Sequence, residues 1–393
     1  MHRPRSLLPL VPLLLVMASA ACERKQSVTT GGDSAAAARA TRDQVLLGVV
    51  ASLTGDQASF GVSTRDGVLL AVEEANARGG ALGKPIQMRV YDSQGKPSEG
   101  ANAVTRLISQ DGATVILGEV ASSISLAMAP VAQRAGVPMI SPSSTNPKVT
   151  QVGDYVFRVC FIDPFQGYVM ARFAGEHLGA RRAAILRDNK SDYSIGLSTV
   201  FTARYPEFGG TVVSSEAYSQ GDTDFRSQLT AIKATRPDVI YVPGYYTDVG
   251  LIARQARQLG IDVPLLGGDG WESTKLYELG GPALDGNYFS NHYSPEDPRP
   301  VVKDFIARFT QRFGRQPDSL AVLGYDAANV AIAAIQRTGT TQGAQVREAI
   351  SRTRDFPGVG GTITLDPERN ATKPAVVLKI QDGSASFVTS VEP

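Results

Sequence analysis

The chain has 393 residues, of which 20% are charged, and a formal net charge of +1 at pH 7. Its basic residues are scattered, so it lacks the basic stripe that is typical of proteins that bind nucleic acid. Its length exceeds what one hydrophobic core usually supports, which favours two domains. Its two cysteines are too few for a disulfide scaffold.

The N-terminus has the features of an export signal. Arg3 and Arg5 precede a run of apolar and small residues that continues to Ala21. This run is too short, and too interrupted by proline, to cross a bilayer, which takes about 20 apolar residues. Residues 1–21 are therefore predicted to be a signal peptide, which places the mature protein outside the cytoplasm.

Two processing sites remain open. Residues 18–20, Ala-Ser-Ala, fit an ordinary signal peptidase, whereas residues 19–22, Ser-Ala-Ala-Cys, resemble a bacterial lipobox that would attach lipid to Cys22. Residues 22–43 are polar and rich in small side chains, which suits a flexible, disordered tether and favours lipidation. The protein is thus expected to be periplasmic or anchored to a membrane. Cys160 is expected to be a small buried hydrophobe.

From residue 43 onward, short β-branched or apolar runs alternate with amphipathic segments. This alternation indicates an α/β protein with parallel sheets that helices cover, and two such series indicate two sheets. Strands are predicted at 45–52, 86–91, 114–117 and 137–140, then at 183–187, 211–215, 238–242 and 263–266. Helices are predicted at 64–78, 98–110, 123–134, 165–178, 195–205, 225–234, 249–259, 301–313 and 320–338.

The chain is expected to cross between the two lobes three times and so to build a hinge. The crossings are predicted near residues 161–165, 291–297 and 358–370, where proline or glycine is frequent. Lobe 1 would then consist of 44–162 and 293–365, and lobe 2 of 163–292 and 366–393.

Ligands of open α/β sheets bind beyond the carboxyl ends of the strands. In the first series, Ser122 and Ser123 open a helix, where free N–H groups favour an anion. Ser143 and Thr145 follow the next strand and could add hydroxyl groups. The alternative is that all of them only cap helices and shape turns.

The second series offers a carboxylate and aromatic rings. Asp269 stands between glycines directly after a strand, and Tyr193 and Tyr245 follow two other strands. An anion cradle that faces a carboxylate beside aromatic rings suits an α-amino acid. A dicarboxylate or a phosphate would instead favour an arginine fork, and these strand ends carry none. The alternatives are a turn-capping aspartate and half-buried surface tyrosines.

The same segments resemble the periplasmic leucine/isoleucine/valine-binding proteins, the type I solute-binding proteins of ABC importers. The resemblance runs from about residue 45 to the C-terminus. It is carried by Leu53-Thr-Gly55, Phe60-Gly61, Ala75-Asn-Ala-Arg-Gly-Gly80, Tyr91-Asp92, Gly118 with Ser122-Ser123, Ile140-Ser-Pro142, Thr145, Tyr193-Ser-Ile-Gly196, Asp224-Phe225, Gly244-Tyr245, Arg254-Gln255-Ala256 and Gly268-Asp269.

The resemblance implies two Rossmann-like lobes with parallel sheets, joined by a three-segment hinge, that close on a solute. It places the ligand carboxylate at the positions of Ser122, Ser143 and Thr145. It places the ammonium at those of Asp269, Tyr193 and Tyr245, and an aliphatic pocket at Phe60. Two departures from the leucine-type proteins stand out: they carry Glu where Asp269 stands, which implies a reshaped cleft, and they have a disulfide whose two positions here are Gly95 and Ala121. Trp271 is expected to add bulk near the pocket.

The expected function is delivery of an amino acid, with branched-chain type as the leading prediction, to the permease of an ABC importer. The alternative is a ligand-sensing protein of the same fold for an amide, urea or aromatic solute, and a less favoured one is an exported hydrolase. Against the hydrolase, the mature chain has only His177 and His292 and no nucleophile elbow. No cofactor, metal or nucleic acid is expected.

Overall fold

The architecture is taken from a computed structural model, which describes residues 45–393. The predicted signal peptide, Cys22 and the tether lie outside the described residues. The eight predicted strands and nine predicted helices all occur, with ends that differ by a few residues. The structure is a mixed α/β fold with two large, mainly parallel sheets, as the sequence predicts.

The first sheet has five parallel strands in the order β2-β1-β3-β4-β5. Every residue of its interior strand β1 is buried, because helices cover both faces of the sheet. The fifth strand is absent from the predicted ones, since its three residues give too short a pattern to separate strand from loop. The strands are β1 Val45–Ala51, β2 Ile86–Asp92, β3 Val115–Leu117, β4 Met139–Ser141 and β5 Val156–Arg158.

The second sheet has seven strands in the order β15-β14-β10-β9-β8-β6-β7. Its first five strands in chain order run parallel, and the C-terminal hairpin β14–β15 adds to the edge at β10 in antiparallel fashion. The strands are β6 Arg182–Asp188, β7 Thr211–Tyr218, β8 Val239–Tyr241, β9 Leu265–Gly267, β10 Tyr288–Asn291, β14 Ala375–Gln381 and β15 Ser384–Val391. A small separate sheet consists of β11 Phe356–Gly358, β12 Gly361–Leu365 and β13 Ala371–Thr372.

The helices connect the parallel strands and cover the sheets. They are α1 Ala58–Ala77, α2 Pro97–Arg106, α3 Ser122–Ala135, α4 Lys148–Gln151, α5 Asp163–Arg172, α6 Asp192–Arg204, α7 Arg226–Ala234, α8 Tyr246–Gln258, α9 Thr274–Gly280, α10 Pro300–Phe313, α11 Ser319–Thr338 and α12 Gly343–Ser351.

Helices α1 and α11 pack against each other at backbone distance. A Cβ on Gly67 would lie 1.9 Å from the Ala321 carbonyl oxygen, and one on Gly324 would lie 2.4 Å from that of Thr64. Helix α11 is long and apolar enough to cross a membrane, but 78% of its most apolar window is buried inside the protein. It therefore serves as a core helix of the first lobe.

The chain passes between the lobes after β5, after β10 and after β13. Residues 366–372 differ from their predicted place in lobe 2, because they pack with the first sheet. Ala371 lies in the core that contains β1, and Arg369 donates a 2.8 Å hydrogen bond to the Thr150 carbonyl oxygen. The physical reason is the pairing of β13 with β12, which holds the chain in the first lobe up to Thr372.

Candidate functional site

The carboxyl ends of the two sheets face each other, and the lobes are in contact there. Ser123 Oγ donates to Asp192 Oδ2 at 2.9 Å, and Asn146 Nδ2 donates to the Asp192 carbonyl oxygen at 2.8 Å. On the other side, Ser273 Oγ lies 2.8 Å from Ser59 Oγ. These bonds join helices of different lobes, so the structure is the closed form of a two-lobed molecule.

The first lobe presents unsatisfied hydrogen-bond donors at this junction. Helix α3 begins at Ser122, and its preceding residue, Ala121, provides no side-chain cap. Ser122 Oγ itself accepts a 3.3 Å bond from the Asn146 N–H group. Ser143 Oγ is buried and makes no hydrogen bond with any residue from 45 to 393, whereas the buried Thr145 hydroxyl group lies beside the carboxylate of Asp163. Hydroxyl groups and first-turn N–H groups of a helix together favour a carboxylate.

Neighbouring serines have a different task, because they bind the protein itself. Ser144 Oγ and Ser141 Oγ lie 2.9 and 2.8 Å from the Glu119 carbonyl oxygen. The Glu119 side chain in turn accepts bonds from Ser52 Oγ at 2.7 Å and from the Ala121 N–H group at 2.8 Å. Burial raises the pKa of Glu119. This glutamate, which the sequence analysis missed, fixes the loop that precedes α3.

The second lobe presents Asp269 with its carboxylate already held by three side chains. Tyr193 OH donates to Oδ1 at 2.9 Å, and Gln166 Nε2 donates to the same oxygen at 2.8 Å. His292 Nε2 donates to Oδ2 at 3.0 Å. Burial keeps the pKa of Tyr193 well above its usual value and lowers that of His292, so both groups act as neutral donors.

Gln166 and His292 are functional residues that the sequence analysis missed. Both follow a crossing of the hinge, Gln166 in the first turn of α5 and His292 directly after β10. His292 stacks on Phe161 of the other connection, with ring centroids 3.7 Å apart. Their position beside predicted crossings was the signal that could have found them.

A second buried acid lies at the junction. Asp163 opens α5, and the hydroxyl group of Thr145 in the first lobe lies beside its carboxylate, where it acts to lower the pKa of Asp163. Burial, with a further contribution from Asp269, raises its pKa to about 8. A Cβ on Gly196 would come within 2.5 Å of Asp163 Oδ2, so helix α6 closes over this acid.

Aromatic rings form one wall of the junction. Tyr193 and Tyr245 stack with ring centroids 5.2 Å apart and planes 9° from parallel. Phe60, on the first lobe, meets Tyr245 and Tyr246 edge-on at 5.7 and 4.8 Å. The structure therefore brings together Phe60, Tyr193 and Tyr245, as the sequence predicts, and the contact of Phe60 crosses between the lobes.

Trp271 does not line this wall, which corrects the prediction that it adds bulk to the pocket. Its Nε1–H group donates to the Val242 carbonyl oxygen at 2.9 Å, and its ring packs on Gly267 and Phe289 in the core of lobe 2. Asp269 and Trp271 share a tight helical turn of three residues per turn, so their side chains point in different directions.

Cys160 behaves as the small buried hydrophobe that the sequence predicts. It is a free cysteine with no exposed surface. Burial raises its pKa to about 12, so the group is a thiol at neutral pH. A protonated, buried thiol is a poor nucleophile.

Two lobes that enclose hydrogen-bonding groups at the carboxyl ends of their sheets define a protein that binds a small solute. The chain belongs to the periplasmic binding protein family, whose model matches residues 44–385. This family consists of solute-binding proteins rather than enzymes, and membership implies an exported protein.

Relatives in this family are similar over nearly the whole chain. Leu/Ile/Val-binding protein homolog 3 of Brucella melitensis is 30% identical over 88% of this chain and 94% of its own length. The crystal structure of the leucine-binding protein LivK of Thermotoga maritima is 41% identical, with a TM-score of 0.86 over 89% of this chain and 99% of that one. That of LivJ of Streptococcus pneumoniae with isoleucine is 32% identical, with a TM-score of 0.85 over 89% and 100%.

Proposed function

We propose that this protein binds a branched-chain amino acid between its lobes and delivers it to the permease of an ABC importer. The observation that carries this proposal is the pairing of unlike polar groups at one closed junction. The first lobe offers the unpaired hydroxyl group of Ser143 and the first turn of α3, and the second offers the carboxylate of Asp269. A carboxylate and an ammonium on one ligand would satisfy both halves.

The aromatic wall supports a ligand with an apolar side chain. The rings of Phe60, Tyr193 and Tyr245 are at most 6% exposed and contact one another edge-on or in a stack. The names of the relatives, which specify leucine, isoleucine and valine, favour the same class of side chain. Asp269 is shorter than the glutamate of the leucine-type proteins. Held by Gln166 and His292, it would shape the part of the site that binds the ligand ammonium group.

Closure follows from contacts that only one state can make. Ser123 and Asp192, or Ser59 and Ser273, lie within hydrogen-bond distance only when the lobes meet. A ligand that touches both lobes binds this state more tightly than an open one, and that difference alone shifts the balance towards closure. The closed surface would then be the form that a permease recognises.

Anchoring by lipid at Cys22 remains part of this proposal. The polar segment 22–43 would give the lobes free movement above a membrane. Mass spectrometry of the N-terminal peptide from membrane-extracted protein tests this step. A Cys22→Ser variant should appear in the soluble fraction, and a wild type that is itself soluble and cleaved after Ala20 would contradict it.

The main test is calorimetry on ligand-stripped protein against leucine, isoleucine, valine, a polar amino acid, benzoate, urea and an amide. We expect the three branched-chain amino acids to bind most tightly. Binding of benzoate or of an amide in the absence of any amino-acid binding would overturn the proposal and favour the sensing or aromatic alternative.

A further inference from the structure

A second cavity lies at the hinge. Its volume is about 970 Å³, within the usual range for small-molecule pockets. Its walls come from the second connection, the small sheet, the third connection and the hairpin β14–β15. Of the residues described above for the amino-acid site, only His292 takes part in it. We call it the hinge cavity.

Two buried donors of the hinge cavity have no acceptor. Lys373 is 2% exposed and Tyr293 is 4% exposed. Neither Lys373 Nζ nor Tyr293 Oη forms a hydrogen bond within residues 45–393. The carboxylate of Asp326, whose charge acts on Lys373, is held instead by the N–H groups of Val359 and Gly360 at 2.8 and 2.9 Å. Buried donors without partners are costly, so these two favour a ligand that carries an acceptor.

The remaining walls restrict the class of ligand. Pro298, Pro374, Val376 and the half-exposed ring of Phe387 give the cavity an apolar side. Two of the three acids of the rim are already engaged: Glu296 accepts from the Phe387 N–H group at 3.0 Å, and Asp297 pairs with Arg299 at 2.8 Å. This acidic rim disfavours ligands with several negative charges, such as phosphates.

We propose that the hinge cavity binds a small monocarboxylate with an apolar body, whose carboxylate accepts hydrogen bonds from Lys373 and Tyr293. The apolar body would lie against Val376 and Phe387. A single carboxylate can accept from more than one donor, and its one charge suits the one ammonium group of Lys373. This site lies beyond the amino-acid site proposed above and does not depend on the identity of the ligand there.

The hinge cavity is placed to influence closure. Thr362 and Thr364 of the first lobe and Val376 of the second lobe line it together, so its shape changes when the lobes rotate. His292 lines it as well, while its Nε2 atom holds Asp269 of the amino-acid site. A carboxylate that fits one lobe arrangement better than another therefore changes the affinity for the amino acid, in proportion to that preference.

The test uses hexanoate as the probe and calorimetry on the full-length mature protein. Wild type should bind hexanoate both without leucine and with saturating leucine. Lys373→Met, which replaces the buried ammonium group by an apolar side chain of similar length, should weaken hexanoate binding at least about tenfold. Tyr293→Phe, which removes only a hydroxyl group, should weaken it about threefold to tenfold. Thermal melting of both variants establishes that they are folded.

The matched control is Thr145→Val in the amino-acid site, which should leave hexanoate affinity unchanged. Conversely, Lys373→Met should leave leucine affinity unchanged. The proposal would be overturned if leucine displaced hexanoate and if hexanoate binding were lost in Thr145→Val but kept in Lys373→Met. So would an absence of binding up to about 10 mM hexanoate. If leucine fails to bind while Lys373→Met still abolishes hexanoate binding, the proposed function fails and the hinge site stands.

Discussion

The two halves of the amino-acid site are built in opposite ways. In the first lobe, Ser143 keeps its hydroxyl group without any hydrogen-bond partner among the described residues. In the second lobe, Asp269 accepts hydrogen bonds from three side chains of the protein itself. The first half therefore offers a free hydrogen-bond donor to a ligand, and the second half offers a negative charge that is fixed in position.

This difference assigns different tasks to the halves. Unpaired hydroxyl groups gain a partner only when a ligand arrives, so each contributes directly to affinity. A carboxylate held by three donors moves little on binding, and its contribution is a pre-organised negative charge. Substitutions in the first half should thus change affinity with little effect on folding, whereas those around Asp269 should affect both.

The largest effect on ligand binding is expected for Asp269→Asn. The variant keeps the size of the side chain but removes the charge that faces the ligand ammonium, so leucine affinity should fall at least about 100-fold. Calorimetry measures the loss. Asp262→Asn, at an exposed position of the same lobe, is the matched control and should bind like wild type. Near wild-type affinity of Asp269→Asn would remove this residue from the ammonium site.

Two adjacent serines give a sharper comparison within the first half. Ser143→Ala should lower leucine affinity about tenfold with an unchanged melting temperature, because only the ligand uses that hydroxyl group. Ser144→Ala should lower the free energy of unfolding by about 1 kcal/mol, because its hydroxyl group binds the Glu119 loop. Titration and thermal melting on both variants are the measurements. The reverse pattern would mean that the unpaired serine is not a ligand contact.

A smaller effect is expected for Tyr193→Phe. The variant keeps the ring that stacks on Tyr245 and removes the donor to Asp269. The carboxylate keeps Gln166 and His292, so leucine affinity should fall only about threefold to tenfold. Tyr205→Phe, at a buried tyrosine of the second lobe whose hydroxyl group has no hydrogen-bond partner among the described residues, is the control for a general loss of a buried tyrosine hydroxyl group. If leucine affinity fell as far as in Asp269→Asn, then Gln166 and His292 alone would be unable to hold the Asp269 carboxylate in place.

The smallest effect concerns the contact between the lobes at Glu272. Its carboxylate accepts from Asn291 Nδ2 at 2.8 Å and from the Ser319 N–H group of α11 at 3.3 Å. Burial, with Asp318 nearby, raises its pKa to about 8 from an ordinary value of 4.5. The folded state therefore binds this proton more tightly than the unfolded state does, so this group lowers stability as the pH rises from about 4.5 through 8.

Glu272→Gln should flatten the dependence of the melting temperature on pH between about 5 and 8. Thermal melting across that range, beside wild type, is the measurement. The exposed Glu278 on α9 serves as the control when replaced by Gln. An equal slope in wild type and Glu272→Gln would show that Glu272 is ionised in the folded protein throughout.

The sequence predicted those features that depend on local patterns. Alternating strands and helices placed the sheets, and the rule for strand ends placed Ser143, Thr145, Tyr193 and Asp269 at one junction. It could not tell Ser143 from Ser144, because the difference lies in whether the side chain turns towards Glu119. Serines that are adjacent in the chain look alike until their partners are known.

The missed features depend on contacts between distant segments. Gln166 and His292 reach Asp269 from two different connections, 103 and 23 residues away in the chain. Trp271 follows Asp269 by two residues and still points into the core, because a tight turn separates their directions. Residues 366–372 return to the first lobe because β13 pairs with β12. None of these follows from periodicity.

The close packing of α1 against α11 has a consequence for how the protein is made. Gly67 and Ala321 are in backbone contact, although about 250 residues of chain separate them. The first lobe therefore lacks one of its core helices until almost the whole chain has been synthesised. Contacts so distant in sequence form slowly. A chain that cannot complete its first lobe early stays unfolded for longer, which is the state that a secretion channel transports.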